Sequence, residues 1–128
     1  MKDFVTEFAK QPCWAIVGVS ENPDKFGYKI YKDLKSSGYK VFGVNPKLSQ
    51  LLGDVVYPSV IKLPCLPDVV NVVVPPASAS RVIDDCVTAG VTRIWFQPGS
   101  SDAAIVKKAN KAGLKVVCEA CIMIEKNR

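Results

Sequence analysis

Residues 14–27 read Trp14-Ala15-Ile16-Val17-Gly18-Val19-Ser20-Glu21-Asn22-Pro23-Asp24-Lys25-Phe26-Gly27, and the order of residue types in this stretch decides the fold. The apolar run from Trp14 to Val19 lacks polar alternation, so it predicts a strand covered on both faces. Asn22-Pro23-Asp24 predicts a loop. Beyond it Phe26, Ile30 and Leu34 recur every four residues and predict a helix with one apolar face, ending at Gly38. Strand, loop and helix in that order are the first half of a βαβ unit.

Outward from this unit the pattern repeats. Lys40 to Val44 predicts a second strand that stops at Asn45-Pro46, because proline cannot continue a ladder. Lys47 to Pro67 is less regular; it predicts a loop, a short strand near Val55-Val56 and a helical turn from Ser59 to Lys62. Asp68 to Val74 predicts a buried strand closed by Pro75-Pro76, and the helix after it turns Val82, Ile83, Cys86 and Val87 inward and ends at Gly90. Thr92 to Phe96 predicts the next strand. A last helix begins near Ser101-Asp102, buries Ile105, Val106 and Ala109, and stops at Gly113 before a final strand from Leu114 to Cys118. Gly38, Gly90 and Gly113 each join a helix to a strand, where glycine supplies the left-handed cap. Met1 to Gln11 reads as a short amphipathic helix carrying Phe4, Val5 and Phe8. The expected architecture is a Rossmann-like, doubly wound parallel sheet of about five strands with helices on both faces, in one domain spanning 1–128.

Composition narrows the chemistry. A chain of 128 residues suits one compact domain with no room for a separate catalytic partner. It has no histidine, which excludes His-dependent nucleophiles, imidazole metal ligands and a phosphohistidine. Lys+Arg 17 against Asp+Glu 12 leaves +5, an excess suited to a phosphate-bearing ligand. The lysines are scattered and no basic block interleaves with aromatics, so no nucleic-acid partner is expected. Five cysteines in apolar surroundings read as reduced thiols of a cytoplasmic protein, and no run has the length of a signal peptide or membrane span.

In a doubly wound sheet, ligands bind at the carboxyl ends of the strands where the strand order reverses. The loops at that edge are Gly18 to Gly27, Asn45 to Lys47, Val74 to Ala77 and Gln97 to Ser101, with Cys118 to Cys121 as a fifth. The first combines a glycine for close approach, the Ser20 hydroxyl, and Lys25 just before the helix and Gly27, which suits a pyrophosphate. The Gly-x-Gly-x-x-Gly dinucleotide fingerprint is not matched. Where NAD enzymes place an acid on the ribose, the chain has Asn45-Pro46-Lys47, which points to a ligand with an extra phosphate, NADP or coenzyme A.

Four motifs in order, Ala15-Ile16-Val17-Gly18-Val19-Ser20, Val44-Asn45-Pro46, Val73-Val74-Pro75-Pro76 and Ile94-Trp95-Phe96-Gln97-Pro98-Gly99, carry a family resemblance. From about Trp14 to Glu125 the chain resembles the small stand-alone CoA-binding proteins, which are similar to the N-terminal CoA-binding domain of the succinyl-CoA synthetase alpha chain. The resemblance implies that Gly18, Val19 and Ser20 lie against the pyrophosphate and pantetheine, with Lys25 beside the phosphates. It implies that Asn45, Pro46 and Lys47 flank the adenosine 3′-phosphate, that Val74, Pro75 and Pro76 form an apolar wall, and that Gln97 and Gly99 approach the pantetheine arm. Two departures stand out. The synthetase continues into a domain with a phosphorylated histidine that this chain lacks, and its last strand ends in a Gly-Pro-Asn type sequence where this chain has Cys118-Glu119-Ala120-Cys121. That Cys-x-x-Cys pair follows the final predicted strand, unlike a redox motif, and reads as structural, with a mixed disulfide to CoA as the sharper alternative. The expectation is a binder of CoA or an acyl-CoA without catalysis or metal of its own. The alternatives are a small NADP-dependent oxidoreductase or cofactor domain, and a regulatory subunit of an acyl-CoA synthetase-like complex. A partner would be a second copy of the chain or a separately encoded subunit.

Overall fold

The structure, a computed structural model, describes residues 2–127. In chain order the elements are α1 (Lys2–Ala9), β1 (Cys13–Val17), α2 (Phe26–Ser36), β2 (Lys40–Val44), β3 (Gln50–Leu51), β4 (Asp54–Tyr57), a 3-10 turn (Val60–Lys62), β5 (Val69–Val72), α3 (Pro76–Ala89), β6 (Arg93–Phe96), α4 (Ala103–Lys111), β7 (Lys115–Cys118) and α5 (Ile122–Glu125). They form one sheet of order β3-β4-β2-β1-β5-β6-β7, parallel except for the β3–β4 hairpin. Without β3 this is the dinucleotide-fold order, with β2 and β4 on one side of β1 and β5, β6 and β7 on the other. The chain crosses back between β4 and β5, and the reversal leaves a crevice between the carboxyl ends of β1 and β5.

Alternation along the central strands divides the core in two. Ala15, Val17, Val70, Val72, Ile94 and Phe96 pack with α3, α4 and the 3-10 turn, while Trp14, Ile16, Val69, Trp95 and Val117 pack with α1, α2 and α5. Trp14 on β1 and Trp95 on β6 are both fully buried, with ring centroids 5.6 Å apart. Their indole N–H groups donate to the Gln11 carbonyl at 2.9 Å and the Ala120 carbonyl at 2.7 Å, so neither is buried unpaired.

The doubly wound fold stands, with four corrections of detail. The sheet has seven strands, more than about five, because β3 and β4 add a hairpin at the edge. Its two-residue turn has Leu52 at φ 50 and Gly53 at φ 84, the left-handed pair such a hairpin needs, and a leucine in the first position conceals the signal. The helix starting at Ala103 is not the last, since α5 follows β7. Phe26 is 57% exposed, unlike Ile30 and Leu34, because it opens α2 at the rim of the sheet. Val87 is 51% exposed, and α3 instead buries Ala79, Val82, Ile83 and Cys86. Gly38, Gly90 and Gly113 have φ of 92, 89 and 86, as a left-handed helix exit requires. No helix among the described residues is long and apolar enough to cross a membrane.

Candidate functional site

β1 gives way directly to Gly18, whose φ is 104. A Cβ there would lie 2.9 Å from Val74 Cγ1 and 3.2 Å from the Val73 carbonyl carbon, so only glycine lets the turn lie against the end of β5. The loop beyond is braced by its own short side chains. The Ser20 hydroxyl accepts from the Asn22 amide at 3.0 Å, Asn22 Oδ1 accepts from the Asp24 amide at 2.9 Å, and the Lys25 amide donates to the Asn22 carbonyl at 3.0 Å. These turns deliver Lys25 to the N-cap of α2 in extended conformation, φ −87 and ψ 145. A lysine ammonium has no lone pair to offer, so no side chain caps α2, and its first turn carries no acid. The first N–H groups, the positive end of the helix dipole and the Lys25 charge therefore face the same space.

Gly27 holds this helix end in place. A Cβ on Gly27 would fall 2.0 Å from the Gly18 carbonyl oxygen, so α2 packs backbone to backbone on the turn it must serve. Its part is close helix packing, the duty of a fingerprint glycine without the fingerprint spacing.

From the β2 side, Asn45 Nδ2 donates to the Val19 carbonyl at 2.8 Å and its Oδ1 accepts from the Lys47 amide at 2.8 Å. Asn45 thereby ties two loops together. The same turn carries Pro46 and Lys47 away toward β3. From the β5 side, Val73 and Val74 lead to Pro75 at the N-cap of α3, again without a side-chain cap. From the β6 side, the Gln97 side chain is only 3% exposed, and its Oε1 accepts from the Ile122 amide at 3.3 Å and from Asn71 Nδ2 at 3.5 Å.

A cleft of about 450 Å³ runs across these ends. Of the residues expected from the sequence, Gly18, Val19, Ser20, Lys25, Gly27, Asn45, Val74, Pro75, Gln97 and Gly99 line it; Pro46, Lys47 and Pro76 do not. Val19 is fully buried, its side chain packed in the core beneath the cleft wall. Pro76 is the first residue of α3, directed along the helix. Phe26, Pro98 and Ser100, inside the loops expected at this edge but not singled out there, also line the cleft, as does Val73, one residue before the expected β5 loop. Phe26 carried the misleading signal, since its spacing from Ile30 and Leu34 reads as core.

A larger hollow of about 550 Å³ lies beside α4, lined in part by Asp102, Lys107, Lys111, Cys118 and Glu119. The helix start that borders it is not open to an anion. The Asp102 carboxylate already caps α4, accepting from the Ile105 amide at 2.9 Å, and Glu119 adds a second negative charge. Burial, and then Glu119, pushes the Cys118 thiol above its ordinary pKa, the opposite of an activated cysteine. Burial pushes the Cys86 thiol up to about 12. None of the five cysteines is in a disulfide, and no group of three or more His, Cys, Asp or Glu among the described residues could hold a metal.

Comparison with known proteins agrees with the geometry. The family model for a CoA binding domain matches residues 13–127. The acetate–CoA ligase (ADP-forming) I of Archaeoglobus fulgidus is 29% identical over 118 residues, covering 84% of this chain and 17% of its own. Among solved structures, a conserved hypothetical protein from Pyrococcus furiosus is 42% identical with a TM-score of 0.85, covering 88% of this chain and 97% of its own. A hypothetical protein from Pyrococcus horikoshii is 32% identical with a TM-score of 0.93, over 100% of this chain and 91% of its own. The chain spans 17%, 26% and 16% of three ADP-forming ligase sequences that it resembles. From its turn at Gly18 to the strand ends that wall the cleft, this chain belongs to the CoA binding domain family.

Proposed function

We propose that the cleft between β1 and β5 binds coenzyme A or an acyl-CoA, and that this chain holds the ligand without a catalytic group of its own. The observation that carries the reading is the start of α2: an uncapped helix N-terminus with Lys25 at its cap, pressed by Gly27 onto the Gly18 turn and open to a 450 Å³ cleft. That end matches a pyrophosphate. The neutral and apolar stretch through Val74, Pro75 and Gln97 matches the pantetheine arm, so charge and apolar surface follow one another as they do along CoA. Ser20 presents a hydroxyl beside the phosphates, and Asn45 keeps the two loops at a fixed separation.

Thermal shift and calorimetry test the reading. Ligand at about 100 times its dissociation constant adds roughly 2.7 kcal/mol to stability, so CoA should raise the melting temperature plainly while NAD does not. A shift with NADP and none with CoA would transfer the cleft to a nicotinamide cofactor.

One observation favours a further role. The chain matches only a fraction of the length of ADP-forming acetate–CoA ligases, among them a ligase subunit alpha, which fits a CoA-holding part of an acyl-CoA synthetase-like assembly. Co-purification with an ATP-using partner, or a self-associated state by light scattering, distinguishes an assembly from a monomeric holder.

A further inference from the structure

Two of the cysteines meet at the end of the sheet opposite the cleft. Cys13 opens β1, and beside it on the β5 side is Asp68, the residue before β5. The Asp68 amide donates to the Cys13 carbonyl at 2.9 Å, and the Cys13 amide donates to Asp68 Oδ2 at 3.1 Å. Cys65 stands just upstream of Asp68 in the crossover from β4 to β5, where the chain bends at Pro64, at Cys65 and again at Asp68. Side-chain alternation puts the two thiols on one face of the sheet. Trp14 packs with α1, α2 and α5, so Cys13 points with Ala15 to the other face, where Val60 of the 3-10 turn and Leu63 pack. Leu63 leads through Pro64 to Cys65. Burial raises the Cys13 thiol above its ordinary pKa, and Cys65 raises it further; the Asp68 backbone amide opposes them. Cys65 acts on this thiol more strongly than the charges of the Asp68 carboxylate and Lys40 do, as close neighbours would.

The pair is unequal. Cys65 is exposed and Cys13 is half-buried. Thiol–disulfide exchange uses an accessible thiolate first, and then a second thiol within reach of the mixed disulfide. We propose that Cys65 and Cys13 form an exchange pair for low-molecular-weight disulfides, closing into a bond that joins the β4–β5 crossover to β1. In the first step the Cys65 thiolate attacks a disulfide RSSR: the Cys65–SR bond forms, the RS–SR bond breaks and one RS− leaves. In the second, the Cys13 thiolate attacks Cys65 Sγ, the Cys13–Cys65 bond forms and the other RS− leaves. The protein dithiol gives up two electrons to RSSR, and its two protons end on two RSH. The pair lies away from the cleft, so the inference is independent of the CoA reading.

Glutathione disulfide at pH 8 is the probe, applied to the full chain and followed by peptide mapping after the remaining thiols are blocked. The wild-type chain should give a Cys13–Cys65 crosslinked peptide that dithiothreitol reverses. Because this bond closes a long loop of the unfolded chain, the oxidised form should melt about 10 °C above the reduced one. Cys13→Ser should stop at the mixed disulfide, with one glutathionyl group held on Cys65. Tryptophan emission reports whether that variant is folded, and Cys13→Ala replaces it if the serine disturbs β1. A wild-type chain that gives no Cys13–Cys65 peptide overturns the inference. So does a folded Cys13 variant that carries no glutathionyl group on Cys65, or an oxidised wild-type chain that melts no higher than the reduced one.

Discussion

Helices α2 and α4 begin in equivalent positions, each after a loop from the carboxyl end of a parallel strand, and they end the loop in opposite ways. At α4 the Asp102 carboxylate accepts from the Ile105 amide, so the helix satisfies its own first turn. At α2 the same position is Lys25, and the first turn is left for an acceptor from outside the helix. One start favours stability. The other forgoes a cap worth about 1 kcal/mol and so keeps its N–H groups available to the cleft, whereas the larger hollow beside α4 borders a helix start that is already capped.

The comparison breaks most severely at Gly27. A Gly27→Ala chain must push α2 off the Gly18 carbonyl, and we expect a loss of about 3 kcal/mol by denaturant unfolding together with loss of measurable CoA binding. Wild-type stability in this variant would mean that the close approach does not matter. Lys25→Asp makes α2 resemble α4. Affinity for CoA should fall about thirtyfold as an anion replaces a cation beside the phosphates, while the new cap raises stability by about 0.5–1 kcal/mol. Opposite signs in calorimetry and melting are the expected signature. Conversely, Asp102→Ala makes α4 resemble α2: stability should drop by about 1 kcal/mol with CoA affinity unchanged.

The smallest effect comes from the far end of the sheet, where charges are paired. The Arg93 guanidinium 2.8 Å from Glu7 lowers the Glu7 carboxyl from its ordinary 4.5, against the opposing effect of desolvation and with help from Lys115. Because the folded value is depressed, this contribution is fully present above pH 4.5 and is lost as pH falls through the lowered value. Glu7→Gln should therefore flatten the acid limb of a melting-temperature profile and leave the neutral plateau nearly unmoved. An unaltered acid limb would assign acid sensitivity elsewhere, with Asp54 next in line, its carboxyl lowered by Lys35 and then by Tyr31.

Local chemistry explains what could be read without coordinates. Gly38, Gly90 and Gly113 mark helix exits because each conformation is set within a turn, and the loops at Gly18, Asn45, Val74 and Gln97 follow from strand order alone. Other placements and roles need tertiary knowledge. Phe26 obeys the helical spacing but lies where α2 has no sheet beneath it. Lys47 is only two residues from Asn45, yet one turn takes it off the cleft wall. Gln97 gains its orientation from Ile122, 25 residues away on a four-residue helix with no periodicity to announce it. Gly27 announces itself least, since its role appears only as a distance to another backbone.

The paired indoles give the molecule an internal gauge. The chain has only two tryptophans, and both are sealed in the core on strands whose next residues form opposite walls of the cleft. Native emission should be blue-shifted and shielded from quenching by dissolved acrylamide, and should move red only when the core over β1, β5 and β6 opens. A variant that empties the cleft while preserving that colour has lost its ligand and kept its fold, a distinction readable in a cuvette without any added label.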